Sequence, residues 1–205
     1  MGEVKRRAEE IAVLKRAQNA WPAGLSSDER AIADTALRLH ERLVVAKNFV
    51  GGCYHLAFFL RRFLHREHGV EVVPRVGYVN DGTGDIMTSH AWIEFQGKKT
   101  DISLTRTEYP EMQLPGELLV LDQVLCKGVA SYTYHLEMTM EAEAQERSLV
   151  ASGYLPLMMR VQIAQKRKEH ADMVERSSDD TKIDAYLAVA PAGLNYESLV
   201  RMANT

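Results

Sequence analysis

Cys53, His90 and Asp101 have the types and the order that a thiol-based acyl-transfer reaction requires. A cysteine attacks a carbonyl only as its thiolate, and a helix N-terminus and a neighbouring imidazolium are two standard ways of favouring that form. Cys53 follows Asn48-Phe49-Val50-Gly51-Gly52, which breaks one helical pattern, and it opens another. Leu56, Phe59, Leu60, Phe63 and Leu64 recur at the spacing of a helix with one buried face, so the sequence predicts a helix from Cys53 to about His68, stopped by Gly69. The thiol is thereby expected at the helix entrance, with glycines before it that let other backbone approach closely.

His90 and Asp101 fall on two predicted strands, Met87 to Phe95 and Lys98 to Leu104, joined by Gln96-Gly97. A two-residue turn sets Phe95 opposite Lys98, Trp92 opposite Asp101 and His90 opposite Ser103. Alternation then places His90, Trp92, Asp101 and Ser103 on one face, with His90 and Asp101 as diagonal neighbours about 7–8 Å apart along the backbone. In that arrangement Asp101 orients the imidazole and stabilises its charged form, the part of the third member of a triad. The Cys53 backbone N–H is expected to supply one oxyanion donor and Asn48 a second. Tyr54 and Trp92, beside the nucleophile and the base, are expected to contact substrate.

The remaining elements must position this stretch. Residues 3 to 19 read as an amphipathic helix, and Ser26-Ser27-Asp28-Glu29 caps a second, long helix running to about Lys47. Glu71 to Val79, Glu117 to Leu125 and Ser131 to Thr139 read as strands. Met140 to about His170 is helical with a kink at Gly153 or Pro156. Ser177 to Asp180 caps a shorter helix ending near Ala190, and Asn195 to Met202 forms the last. Met158 and Met159 are expected in the core, His135 on a half-exposed sheet face, and Lys166-Arg167-Lys168 on a solvated helix end. The expectation is one α+β domain over 1–205, with N-terminal helices (1–47), a catalytic core (48–139) and a helical C-terminal region (140–205).

With 25 basic and 28 acidic side chains the net charge is -3, which gives no electrostatic footprint for nucleic acid. The N-terminus lacks the apolar run of a secretory leader and no stretch reaches membrane-spanning length, so a cytoplasmic protein with no membrane partner is expected. With only Cys53 and Cys126, reduced thiols are the expected state.

Residues 48 to 105 resemble the core of the transglutaminase-like superfamily, which includes bacterial cysteine proteases and peptidases of papain-like architecture. The resemblance is carried by Cys53 at a helix start, by His90-Ala91-Trp92 opening a strand, by Asp101 after a short turn, and by Arg75-Val76-Gly77-Tyr78 between helix and histidine. It implies a nucleophile helix packed on an antiparallel sheet, a Cys53-His90-Asp101 triad and no cofactor. It also implies a cysteine hydrolase acting on an amide, ester or thioester of a peptide, protein or small acyl substrate. Gly52 stands where transglutaminases proper often carry Gln, and Tyr54 where a Cys-Trp pair is usual, which favours hydrolysis over protein crosslinking.

Three alternatives belong beside it. An acyltransferase of transglutaminase or arylamine-acetyltransferase type uses the same three residues. A binding module keeps the fold without the activity. A metal site built from Cys53, His55, His90 and Asp101 is disfavoured, because residues i and i+2 on a helix diverge by about 200°.

Overall fold

A computed structural model describes residues 24–111, 113–153, 155–191 and 193–204, with positions 5, 8, 9, 11 and 12. The helix expected at 3–19 lies for the most part outside them. Helix α1 (Ser27–Leu39) begins at a full capping box, in which Ser26 and Glu29 bond each other's backbone N–H. It runs on into a π-helical turn, His40–Val45. Helix α2 (Cys53–Phe63) likewise ends in a π-helical turn, Leu64–His68, closed by Gly69 at φ 66°, a left-handed conformation that glycine adopts without steric cost.

Four strands form an antiparallel sheet in the order β3-β2-β1-β6: β1 (Val73–Asn80), β2 (Thr88–Phe95), β3 (Lys98–Thr100) and β6 (Thr133–His135). A separate hairpin pairs β4 (Leu118–Val120) with β5 (Gln123–Cys126). Helices α3 (Met140–Ala151), α4 (Leu157–Ser177), α5 (Asp180–Ala188) and α6 (Tyr196–Asn204) complete the chain. The protein is thus an α+β fold.

Helix α2 is the central element, because its apolar positions fill the space between sheet and helices. Phe58, Phe59 and Phe63 are at most 1% exposed, and they join Ile32 and Leu39 of α1, Ala91 and Ile93 of β2, and Ile183 and Leu187 of α5 in one core. Burying each aromatic ring contributes about 1.5–3 kcal/mol. Polar contacts fix the azimuth of α2: Arg62 bonds both carboxylate oxygens of Asp184 at 2.9 and 3.0 Å, and both Arg61 and Arg62 reach Asp180 on α5. Helix α2 is therefore held on three sides.

The sequence pattern misjudged four features. The strand expected to Leu104 ends at Thr100, because Asp101 leaves the β2 ladder to exchange backbone hydrogen bonds with Leu119 at 2.8 and 3.1 Å. The single strand expected over Glu117 to Leu125 is a hairpin that turns at Leu121 and Asp122, both at positive φ. Only Thr133–His135 of the strand expected from Ser131 to Thr139 pairs with β1. Met158 is 75% and Met159 40% exposed, since α4 buries Met173 alone against the core and α3 buries only Ala142.

Candidate active site

Cys53 opens α2, with Gly52 as the capping residue and Leu56 N–H bonded to Gly52 O at 3.0 Å as the first helical hydrogen bond. The backbone N–H groups of Cys53, Tyr54 and His55 precede that bond, so they remain available as helix-start donors. The glycines do admit a close neighbour, but it is a side chain. The Phe49 ring stands where a Cβ on Gly52 would be, at 2.0 Å, and Gly51 takes φ 70° with the Glu108 carboxylate above it. A larger residue at 52 would displace Phe49 and with it the entrance of the helix.

The turn at Gln96-Gly97 forms with the expected register, Phe95 opposite Lys98 and Ile93 opposite Thr100. Although Asp101 does not continue that ladder, its carboxylate meets His90, with Nε2 to Oδ2 at 2.6 Å. Both residues are buried, at 4% and 3% exposure. Tyr134 O–H donates to the same Oδ2 at 3.0 Å, and the Ser103 N–H and O–H donate to Oδ1 at 3.0 and 2.9 Å. Burial pushes the Asp101 carboxyl up, but the His90 charge and these donors outweigh it and hold the group below its ordinary range.

The electrostatics of His90 are the mirror image. Burial pushes the imidazole down, yet the Asp101 charge, then the Cys53 sulfur and the hydrogen bonds to both, raise it above its ordinary value of 6.5. Asp101 and Cys53 thus both favour the charged form of the His90 ring. Nε2 is the ring nitrogen committed to Asp101. Cys53 carries a free thiol and is only partly buried.

Cys53 and His90 line a cleft of about 440 Å³. Its lining is mostly apolar, with Met87, Leu104, Met138, Met159 and Ile163 among the residues that form it. The charged residues at its edge are largely self-compensating: Lys166 pairs with Glu169 at 2.9 Å and Arg167 with Glu146. The Lys166-Arg167 pair, expected on a solvated helix end, thus borders the cleft, because α4 forms its outer wall.

The other expected site residues divide. Tyr54 lines the cleft and bonds Ser89 Oγ at 2.6 Å. Trp92 does not: it is buried, edge-on to Tyr134 at 5.1 Å with Nε1 donating to Glu94, and it is absent from the cleft lining. Asn48 is exposed in a turn at φ 51° and is absent from the cleft lining. His55 bonds Tyr186 at 2.9 Å, and His135 bonds Thr133 at 3.0 Å outside the cleft. Among the described residues no group of three or more His, Cys, Asp or Glu is placed to hold a metal ion, and no helix is long and apolar enough to cross a membrane.

Sequence reasoning missed Tyr134, Ser89 and His170 as members of the site. The alternation of Tyr132 and Tyr134 was visible, but their direction depends on β6 pairing with β1 across more than fifty residues of chain, which no local pattern encodes. No family model matches this chain, and no curated protein or solved structure matches it.

Proposed function

We propose that this protein is a cysteine-dependent acyl-transfer enzyme, most simply a hydrolase of amide, ester or thioester bonds, with a core of transglutaminase-like and papain-like kind. The observation that carries this reading is the 2.6 Å pair of His90 with buried Asp101, set beside Cys53 at the mouth of an apolar cleft. Asp101 holds His90 in its charged form, and an imidazolium beside sulfur is the electrostatic partner that a thiolate needs.

The chemistry balances in two stages. Sγ of Cys53 attacks the substrate carbonyl, and the bond from carbon to the leaving group breaks as His90 gives that group its proton. The Cys53 backbone N–H, at the uncapped head of α2, donates to the oxygen that becomes negative. Water then attacks the thioester, neutral His90 takes its proton, and the acid leaves as the thiolate-imidazolium pair is restored. The apolar lining and the paired charges of the rim suit a neutral acyl group, such as an apolar peptide side chain.

Burst kinetics with p-nitrophenyl acetate test the reading. The expected result is one equivalent of nitrophenolate released rapidly and one acetyl group on Cys53 by mass spectrometry, absent in Cys53→Ser and His90→Ala. Equal acetylation of wild type and His90→Ala would overturn it.

A further inference from the structure

A polar chain runs through the cleft beside the Cys53-His90 pair, and none of the chemistry above uses it. Tyr54 Oη lies 2.6 Å from Ser89 Oγ, and Ser89 Oγ lies 2.5 Å from Nδ1 of His170 on α4. Its members are neighbours of the reacting residues along the chain: Tyr54 follows the nucleophile and Ser89 precedes the base. The imidazole of His170 also stacks on Tyr78 of β1, with ring centroids 4.3 Å apart.

The chain has one direction that satisfies every group. Tyr54 is 8% exposed, and burial pushes its hydroxyl above the ordinary range, so it keeps its proton and must donate. It donates to Ser89 Oγ, and the Ser89 O–H donates to Nδ1 of His170, whose proton affinity burial lowers. Run in reverse, the buried Tyr54 proton would lose its acceptor. Elsewhere helix α2 meets the sheet through Ala91, Ile93 and other apolar side chains, a contact that fixes proximity but not angle. The hydrogen-bonded chain adds direction at the place where tenths of an ångström matter.

We propose that His170 is a positioning residue for the acyl-transfer reaction: through Ser89 and Tyr54 it braces strand β2 against helix α2 and so sets the approach of His90 to Cys53. The brace also ties the pair to α4, the outer wall of the cleft, whose segment from 157 to 168 is exposed except at Ile163. A displacement of α4 by substrate thus reaches the reacting atoms through two hydrogen bonds. This inference rests on the acyl-transfer reading.

The test compares His170→Phe, which keeps a ring on Tyr78 but offers no hydrogen bond, with His170→Asn, whose amide reaches Ser89 from the same side, and with Ser89→Ala. Thermal melting and circular dichroism accompany p-nitrophenyl ester kinetics on each. The expected result is a roughly tenfold lower acylation rate constant for His170→Phe and Ser89→Ala, with ester KM unchanged. His170→Asn is expected within about threefold of wild type. Equal rates for His170→Phe and His170→Asn would overturn the proposal, as would a loss confined to KM or a rate loss that follows the melting temperature. If wild type gives no burst, or Cys53→Ser gives the same burst, the acyl-transfer reading itself fails, and the brace with it.

Discussion

His40 and His90 are both buried histidines, at 3% and 4% exposure, yet they sit in opposite electrostatic states. His40, in the π-helical turn after α1, bonds the Thr105 hydroxyl at 2.7 Å through Nε2, and its Nδ1 has no hydrogen-bond partner among the described residues. Burial and then the charge of Arg106 push it down to about 3, and Asp101 offsets this only in part. His90 suffers the same burial and is raised, because Asp101 lies at hydrogen-bond distance and Cys53 adds to its effect. Burial alone discharges an imidazole; burial against a carboxylate charges it. One histidine is therefore a core residue with a polar tip, and the other is fit to hold and move a proton.

The strongest way to break this contrast is to remove each ring. His90→Ala is expected to lower Cys53 acylation by 10³-fold or more, because the proton donor for the leaving group and the partner of the sulfur are lost together. His40→Leu is expected to change it by less than about twofold, since a hydrocarbon of similar size replaces a group with no part in the cleft. Comparable losses in a burst assay would erase the distinction.

A smaller substitution converts one histidine into the other. Asp101→Asn keeps the shape and much of the hydrogen bonding but removes the charge, so desolvation should win and carry His90 below its ordinary 6.5, as it does His40. Acylation is expected to fall about 10²- to 10⁴-fold. NMR titration of the His90 Hε1 resonance follows the reversal directly, and a His90 that still titrates above 6.5 in Asp101→Asn would show that the carboxylate is not the cause.

Only the His90 side of this contrast was legible in the sequence. The spacing of Leu56, Phe59, Leu60, Phe63 and Leu64 gave α2 and its entrance at Cys53, and Gln96-Gly97 gave a turn whose register, Phe95 to Lys98, is the one observed. What failed was non-local or lacked a local code. Leu121-Asp122 turns the β4-β5 hairpin at φ 52° and 63°, with no Asn-Gly or Asp-Gly signal to announce it. Asp101 meets His90 even though β3 stops short of it, because the Leu119 bridge holds its backbone in place of the β2 ladder. Trp92 and Asn48 were assigned from their nearness in sequence to Cys53 and His90, whereas the direction of a side chain on a strand or turn decides what it touches, and neither lines the cleft. His170 could not be found at all, since it joins Ser89 across 81 residues of chain.

Tyr134 probes the contrast more gently. Its hydroxyl donates to the Asp101 oxygen that also receives His90, and both burial and the Asp101 charge push its own proton affinity upward, so it remains a donor. Tyr134→Phe deletes one of four donors to the carboxylate. The expected result is a roughly three- to tenfold loss of acylation with a small upward movement of the His90 titration, because a carboxylate that loses a donor holds the imidazolium more strongly. An unchanged titration would assign Tyr134 to packing against Trp92 alone.

The smallest effect on activity belongs to His40→Leu, and its informative readout is stability against pH. Because the folded value of His40, about 3, lies below the unfolded value of 6.5, the unfolded chain binds the extra proton between these limits. Stability from this group is complete above pH 6.5 and is lost as pH falls, by up to about 1.4 kcal/mol per pH unit. His90 has the opposite sense: its folded value is raised, so its contribution is full below pH 6.5 and declines as pH climbs through that folded value. Asp101, lowered from 3.8, loses its contribution only in stronger acid. Between about pH 6.5 and 4 neither member of the pair adds slope, whereas His55 and His170, both lowered by burial, add slope of the same sense as His40. The difference between wild type and His40→Leu isolates the one group: urea unfolding at pH 7 and pH 4.5 should show a smaller acid loss in the variant. A loss of equal size would mean that His40 takes up its proton in the fold, and the contrast with His90 would then lie in partner geometry and not in charge.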